Sequence, residues 1–413
     1  MIEAGATPAA QASGNPGGLF HGTLHGDDGP HARFNRAAAL ATERELRRIA
    51  PALPWLQWGL LRVEREPAAL DAMRALLARC GLPADYVQAL DADAASTLAG
   101  VALAQPAWFF PGGGAVSPPA LVDAWLAEAA RTEGFELRLG TPVARLERDD
   151  ESGRWSAYGG AGQLIASADA VVLCGGIGSD PIAAKWSAGP AWPWVSQRGQ
   201  LSVMAPEGAV DASASTPMST TMATATARAT ATPPPNSNSN SNSNSNTMAM
   251  ATPRLSMPVA GLGYALSLPD GTLCFGASAD AGDVDPVLRA SDQAQNLGRL
   301  KQLLPACPLP DELPLAGRVG WRSLVPDRLP VVGALPAAMP AQRAEQARFW
   351  PRQPGLMVLG ALASRGLTWA TLCAELVAAQ LTGAPWPIEA SLAEALDPAR
   401  FGAKRQRAGS SSV

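Results

Sequence analysis

Leu356-Met-Val-Leu-Gly360-Ala-Leu-Ala-Ser364-Arg365-Gly366-Leu367-Thr368-Trp-Ala-Thr-Leu-Cys-Ala-Glu-Leu-Val-Ala-Ala-Gln380 joins a short apolar run, a glycine-punctuated turn and a helical repeat. Leu356 to Leu359 has the length and apolarity of a buried strand. From Leu367 the apolar residues fall at Leu367, Ala370, Leu372, Ala374, Leu376, Val377 and Leu381, nearer a helical period than an alternating one. Gly360 and Gly366 carry no Cβ, so the backbone there can come close to a ligand. The free N–H groups at the start of the helix would favour an electron-rich group. Strand–turn–helix units also serve as plain scaffold in α/β proteins, so this stretch points to a fold class before it points to a function.

A second stretch of the same kind is Asp169-Ala-Val171-Val172-Leu173-Cys174-Gly175-Gly176-Ile177-Gly178. Apolar residues ending in a double glycine predict a fully buried parallel strand that leads to a ligand-facing turn. Met1-Ile-Glu3-Ala-Gly5 reads as the end of a further strand, with an acid where nucleotide-binding α/β folds place a ribose-binding carboxylate. Such folds carry ligands beyond the carboxyl ends of their strands, where Glu3, Gly175 and Gly360 would then lie. A first strand with a G-x-G-x-x-G turn opening a helix is not in the chain. Pro111-Gly112-Gly113-Gly114 has the wrong spacing and runs into Pro118-Pro119.

Composition narrows the classes. The 413 residues are 47% apolar and 16% charged with a net charge of −4, a globular make-up large enough for two lobes and without a global pull toward polyanions. No apolar window reaches about 18 residues and no Lys/Arg-led signal sequence opens the chain, so a soluble protein without a membrane span is expected. The cysteines (Cys80, Cys174, Cys274, Cys307, Cys373) are scattered, without a C-x-x-C pair. His21, His25 and His31 are the only histidines, and Gly22 and Gly26 argue against one helix presenting them to a metal. No metal is expected, and the compartment is read as reducing and cytoplasmic.

Periodicity and caps predict helices at about His31–Ile49, Pro67–Arg79, Pro118–Arg131 and Asp292–Leu304. Strands are predicted at Phe135–Leu139, Pro142–Arg148, Trp155–Tyr158 and Gln163–Ala166. Tyr264 opens a hairpin on an Asp270-Gly271 turn. The Thr/Ala/Met repeats and Asn-Ser run of residues 206–253 predict a disordered insertion, because such a segment buries too little apolar surface to offset its ordering entropy. A frayed basic tail is predicted from residue 401.

Taken in order, several motifs resemble the D-amino-acid-oxidase-like FAD-dependent oxidoreductases. They are Glu3, Ser13-Gly14-Asn15, Val171 to Gly176, the Tyr264 hairpin, Trp321-Arg322 with Asp327, Pro330 and Gly333, and Ser364-Arg365-Gly366-Leu367. Within that family the likeness is strongest to the oxidoreductase halves of bifunctional proteins that mature the wobble uridine of tRNA. It covers most of the chain apart from residues 206–253. The resemblance implies an α/β, two-lobed protein. A Rossmann-like FAD lobe would take residues 1–45, 111–190 and 318–400. An antiparallel-sheet substrate lobe would take 46–110 and 191–317. It also implies oxidation of R–CH2–NH–CH2–COO⁻, with hydride passing to the flavin and glyoxylate leaving on hydrolysis, so that a carboxymethylaminomethyl uridine of tRNA becomes aminomethyl uridine.

Roles follow from the resemblance residue by residue. Glu3 matches the ribose-binding acid, with an idle chain-end carboxylate as the plainer reading. Ser13, Gly14, Asn15 and Gly18 match a loop beside the flavin and its phosphates. Val143 matches the adenine-side strand, where core packing explains it almost as well. Gly175 and Gly176 match a second FAD-contacting turn. Gly360, Ser364, Arg365, Gly366, Leu367 and Thr368 match the turn and helix start facing the flavin pyrimidine ring. Arg322 is the candidate carboxylate clamp, against a structural ion pair with Asp327; a guanidinium grips a carboxylate with two parallel hydrogen bonds. Tyr264 either adds a phenol donor or packs in its hairpin, and Arg365 either lies between flavin and substrate or fixes the turn. No proton-abstracting base is assigned, since the cofactor carries the hard chemistry.

A hollow joining Arg322 to Gly175 and Gly360 is expected. The missing first strand and glycine turn lead to the expectation that the complete protein starts upstream of Met1. Two other readings remain: an oxidase of a free glycine-like or N-methyl amino acid, and an inactive remnant.

Overall fold

The computed structural model describes all residues except 65–68, 189–191, 207–251, 312 and 411–413. Nearly all of the low-complexity insertion expected at 206–253 lies outside the described residues.

The strand Arg352–Gly360 is the centre of a three-stranded sheet. It runs antiparallel to Val331–Pro336 and parallel to Val171–Leu173, with Leu356, Met357 and Val358 opposite Val171, Val172 and Leu173. Both faces of this sheet are covered, which explains why its strands read as continuous apolar runs. Met357 and Val332 face a layer of helices at Pro30–Ile49, Gly366–Thr382 and Ala390–Leu396, with Phe34, Trp369, Leu372 and Leu376 between them. Leu356, Val358, Val331 and Leu173 pack on the other side against Trp155 and Leu146. These come from an antiparallel meander of Arg145–Arg148, Trp155–Tyr158 and Leu164–Ala168. The other edge of Val171–Leu173 has no partner strand among the described residues.

The second structural body is a ten-stranded mixed sheet. Its hub is Val195–Met204, which pairs with Leu273–Gly276, Asp280–Ala281 and the long strand Ala316–Leu324. Beyond Leu273–Gly276 come Tyr264–Ser267, Val259–Ala260, Leu56–Val63 and Ala107–Val116, with Gly18–Phe20 and Gln88–Leu90 flanking the last. The predicted hairpin forms: Tyr264–Ser267 returns as Leu273–Gly276 over a turn in which Gly271 has φ +88°. The helix Ala290–Leu303 covers one face of the sheet through Leu297, Leu300 and Leu303.

Other predicted elements form with shifted ends: Leu70–Cys80 for the second helix, Pro118–Ala129 for the third, and Arg145–Arg148 for a strand expected from Pro142. Two expectations are corrected. Phe135–Leu139 is not a strand: among the described residues only an isolated parallel bridge joins Arg138 to Ile2. The tail is not frayed from residue 401, since Arg400–Ser410 is a helix. Ala399 and Ala403 close on Trp350, and Gly402 lies against the Trp350 ring.

Arg400 is 8% exposed and donates to both carboxylate oxygens of Asp327, at 2.9 and 3.1 Å, and to the Leu329 carbonyl. Losing one partner of a buried ion pair is costly because the other charge stays desolvated. Asp327→Ala is expected to destabilise the fold by about 3 kcal/mol, whereas removing the exposed Arg44–Glu375 pair should cost about 1 kcal/mol or less. Urea unfolding midpoints of the two variants check this difference.

Candidate functional site

The turn after Arg352–Gly360 is built from backbone that L-residues rarely adopt, with φ +57° at Ala361 and +50° at Ala363. Such positions cost on the order of 1–3 kcal/mol each and concentrate at functional sites. Two contacts hold the turn. The Ala363 N–H donates to the Ser323 carbonyl at 2.9 Å, and the Arg365 N–H donates to Leu362 O at 2.9 Å. Arg365 then caps the helix Gly366–Thr382, whose first N–H groups lack intrahelical partners.

Around this turn several candidate residues converge. Gly176, at φ +58°, lies against Ser323: a Cβ built on it would stand 3.9 Å from the Ser323 Cβ. Gly18 touches the helix start, where an added Cβ would come within 2.7 Å of Leu367 Cδ1. The His21 N–H donates to Thr368 Oγ1 at 3.3 Å. The close approach that Gly360 permits is to Trp194, whose ring would lie 2.7 Å from a Cβ there. Ser364 and Gly175 are exposed and Arg365, Gly366 and Leu367 half-buried, while Thr368 is buried.

Arg322 projects from Ala316–Leu324 over Gly199, where an added Cβ would come within 2.6 Å of Nη2. Its Nη1 donates to the Ser278 carbonyl at 3.3 Å. The ion pair with Asp327 does not form, because Asp327 is taken by Arg400. Burial lowers the Arg322 pKa, with the nearby Tyr264 phenol opposing; burial raises the Tyr264 phenol, with Arg322 opposing. The two side chains therefore share one desolvated neighbourhood. No carboxylate pairs with Arg322, Arg365 or Arg62 among the described residues.

The remaining predicted residues lie apart from this cluster or are engaged elsewhere. Ser13 and Gly14 sit in a 3-10 turn, Ala12–Gly14, against the strand Ala316–Leu324. Arg318 donates to Asn15 Oδ1 at 3.2 Å and to Ala10 O at 2.6 Å; a Cβ on Gly14 would meet both its guanidinium and the Ala9 carbonyl, the latter at 2.6 Å, so the crowded loop backbone requires glycine at 14. Glu3 accepts from its own Gly5 N–H at 2.7 Å, and its backbone lies along Arg138–Thr141. Val143 is half-buried in the core beside Leu146, Trp155 and Leu173.

Neither of two shallow hollows in the structure joins Arg322 to Gly175 and Gly360 as expected: one is lined by Tyr264, Gly276, Asn296 and Arg299, the other by Gly22, Glu43, Tyr86, Phe110 and Gly113. Gly176 and Ala363 meet Ser323 and Gly360 meets Trp194, while Gly175 is open to solvent.

Sequence reasoning missed Ser323, Trp194, Arg318, His21 and Arg62. Arg318, Gly320 and Arg322 share one face by their spacing of two, a signal present in the sequence. Arg62, a lone charge in Leu-Gln-Trp-Gly-Leu-Leu-Arg-Val, was equally visible.

The profile of the FAD dependent oxidoreductase (DAO) family matches residues 1–380. The chain belongs to that family. It is 39% identical over 427 residues to the tRNA 5-methylaminomethyl-2-thiouridine biosynthesis bifunctional protein MnmC of Methylibium petroleiphilum, covering 99% of this chain and 57% of that protein. The chain thus spans little more than half the length of this relative. Its fold is similar to glycine oxidase from Geobacillus kaustophilus (TM-score 0.64, 19% identity, 95% of this chain and 90% of that one). It is also similar to iminodiacetate oxidase from Chelativorans sp. (TM-score 0.61, 20% identity, 94% and 96%).

FAD is the cofactor of this DAO-family chain. The residues beside the strained turn fit its ring end. Buried Ser323 Oγ, beside Gly176 and Ala363, and Trp194 Nε1, of the ring packed on Gly360, have no hydrogen-bond partner among the described residues. Buried polar atoms ordinarily find partners, so an unpaired pair at a glycine-lined turn suits a polar ligand edge.

His21 is held neutral in the fold, its pKa pushed down to about 3 by burial and then by the charge of Arg365. A depressed pKa contributes stability that is present above the unfolded value near 6.5 and lost as pH falls toward the folded value. Between pH 7 and pH 5 this group is expected to withdraw up to about 2 kcal/mol. His21→Gln should therefore show a shallower loss of stability over that interval than the unaltered protein, measured by urea unfolding at both pH values.

Proposed function

We propose that this chain oxidises a secondary amine of the form R–CH2–NH–CH2–COO⁻, and that its substrate is carboxymethylaminomethyl uridine at the wobble position of tRNA. The observation that carries this reading is the Arg322 guanidinium: desolvated, beside Tyr264, without a carboxylate partner among the described residues, and one residue from the serine that touches both glycine turns. A buried cation without a counter-ion favours an anionic ligand, and a carboxylate suits a guanidinium because both are planar and can pair through two hydrogen bonds.

In this reading Arg322 and the Tyr264 hydroxyl hold the substrate carboxylate and so aim the adjacent C–H bond. FAD, when bound, accepts the hydride from that carbon. Gly360, Ser364, Arg365, Gly366, Leu367 and Thr368 would face the flavin pyrimidine ring, where the helix N–H groups favour negative charge. Gly175, Gly176 and Gly18 would line the cofactor. Ser13, Gly14 and Asn15 would border its phosphates, and Glu3 and Val143 its adenosine end. Loss of hydride from the amine leaves an imine, and water cleaves it to the primary amine and glyoxylate. The three-stranded sheet with its helices would form the FAD lobe and most of the ten-stranded sheet the substrate lobe, in a cytoplasmic enzyme.

The Methylibium petroleiphilum relative is by its name a tRNA 5-methylaminomethyl-2-thiouridine biosynthesis protein, which supports tRNA as the partner. A second reading, a free N-substituted glycine as substrate, is favoured by the likeness to glycine oxidase and iminodiacetate oxidase. Glyoxylate released from tRNA carrying the modified uridine, compared with release from sarcosine, separates the two. A purified protein that stays colourless after incubation with FAD overturns both and leaves an inactive remnant. Arg322→Ala is expected to lower kcat/KM by about 100-fold or more, on the order of 3 kcal/mol, while the flavin absorbance bands persist. An unchanged kcat/KM would remove Arg322 from the site.

A further inference from the structure

We propose that Arg62 is a specificity-determining residue that binds a second acidic group, at the far end of the amine from the carboxylate held by Arg322. This rests on the amine-oxidase reading above and extends it to the substrate's other end.

Strand registers give the placement. Across the large sheet Arg62 stands opposite Trp108 on one side and Ala260 on the other, and Ala260 stands opposite Tyr264. Partners in such a row share a face, so Arg62 and Tyr264 project from the same side, two strand spacings or about 10 Å apart. The row continues through Gly276 and Leu201 to Arg318. Gly320 and Arg322 follow on that face two and four residues further along the same strand. Arg322 and Arg62 therefore approach Tyr264 from opposite sides, and both are long enough to close on a ligand between them.

Charge supplies the second argument. Arg62 has neither a hydrogen bond from its side chain nor an ion pair among the described residues. Glu64 lies on the same face two residues on, but its carboxylate accepts from the Trp108 indole N–H. The Arg365 side chain is driven down to about 10, first by burial and then by the charge of Arg62, so the two guanidinium groups feel one another in a desolvated space. Arg62 also acts on His21, which is neutral and adds no balancing charge. The carboxylate held by Arg322 neutralises neither of these two cations. An acidic group at the other end, a carboxylate or a phosphate, would relieve the repulsion that remains.

The test uses the full chain loaded with FAD and two acids that cannot be oxidised at nitrogen: 2,2′-thiodiacetate, with a carboxylate on both sides of sulfur, and methylthioacetate, with one. Calorimetric titration is expected to give a preference for the diacid of at least about tenfold. Arg62→Gln should reduce that ratio to below about twofold, and Arg62→Lys should restore part of it. Arg322→Gln should weaken both acids. Inorganic phosphate that abolishes the diacid preference marks the second group as a phosphate, whereas an unaffected preference marks it as a carboxylate. Equal affinities in the unaltered protein, or a ratio unchanged by Arg62→Gln, overturn the role of Arg62 alone. Failure of either acid to bind overturns the reading of Arg322 as well.

Discussion

The guanidinium of Arg198 is fully buried, and the large sheet is arranged around it. It donates to Asp292 Oδ2 at 2.5 Å, to the carbonyls of Asp285 and Val287 at 2.7 and 2.5 Å, and to Gln200 Oε1 at 3.2 Å. Gln200 Nε2 in turn donates to the Arg289 carbonyl, and Asn296 Nδ2 donates to the Gln200 carbonyl. A buried charge is tolerated only when its hydrogen-bonding capacity is filled, so these partners are bound to one geometry. The helix Ala290–Leu303 is thereby fixed against the hub strand Val195–Met204.

Alternation along that hub strand carries the constraint to the site. Arg198, Gln200 and Ser202 point to the helix, so Gly199 points the opposite way, toward Arg322. The strand Ala316–Leu324 is registered to the hub residue by residue from Ala316 opposite Val203 to Leu324 opposite Val195. Its far end reaches the strained turn through the Ala363–Ser323 hydrogen bond. One strand thus presents Arg318 to the N-terminal loop, Arg322 to Tyr264 and Ser323 to the glycine turns. Cations gather on this face while four acids of the region are committed elsewhere: Asp292 to Arg198, Asp283 and Asp285 to Arg289, and Asp327 to Arg400. The resulting excess of positive charge in a desolvated space is what the proposal of an anionic substrate rests on.

The parts of this protein that were legible in the linear chain are those whose signal is local. Leu356–Leu359 announced a buried strand by unbroken apolarity; Val171–Leu173 announced a fully buried parallel strand, and the strand is parallel but only Leu173 in it is buried, since it lies at the sheet's edge among the described residues. Leu367–Leu381 announced a helix by its period, and Asp270-Gly271 announced a hairpin. The DAO family and its FAD chemistry were legible through motifs lying in order along the chain. Phe135–Leu139 had the composition of a strand, but pairing depends on a neighbour, which composition does not specify. The C-terminal helix was hidden by its charges, because what holds it is a contact between Gly402, Ala403 and the distant Trp350.

The order of motifs along the chain is set by the sequence alone, and their resemblance to the family is what grouped Arg322, Tyr264, Gly176 and the Gly360–Thr368 turn as candidates for one site. Only the tertiary structure decided that Asp327 goes to Arg400, that Arg318 and the Ala9 carbonyl crowd Gly14, that Gly360 accommodates Trp194, and that Arg62 shares a face with Tyr264. Each of these is a choice among partners far apart in the chain, made by packing and by the competition of buried charges for counter-ions, and neither acts over the few residues within which a sequence pattern is read.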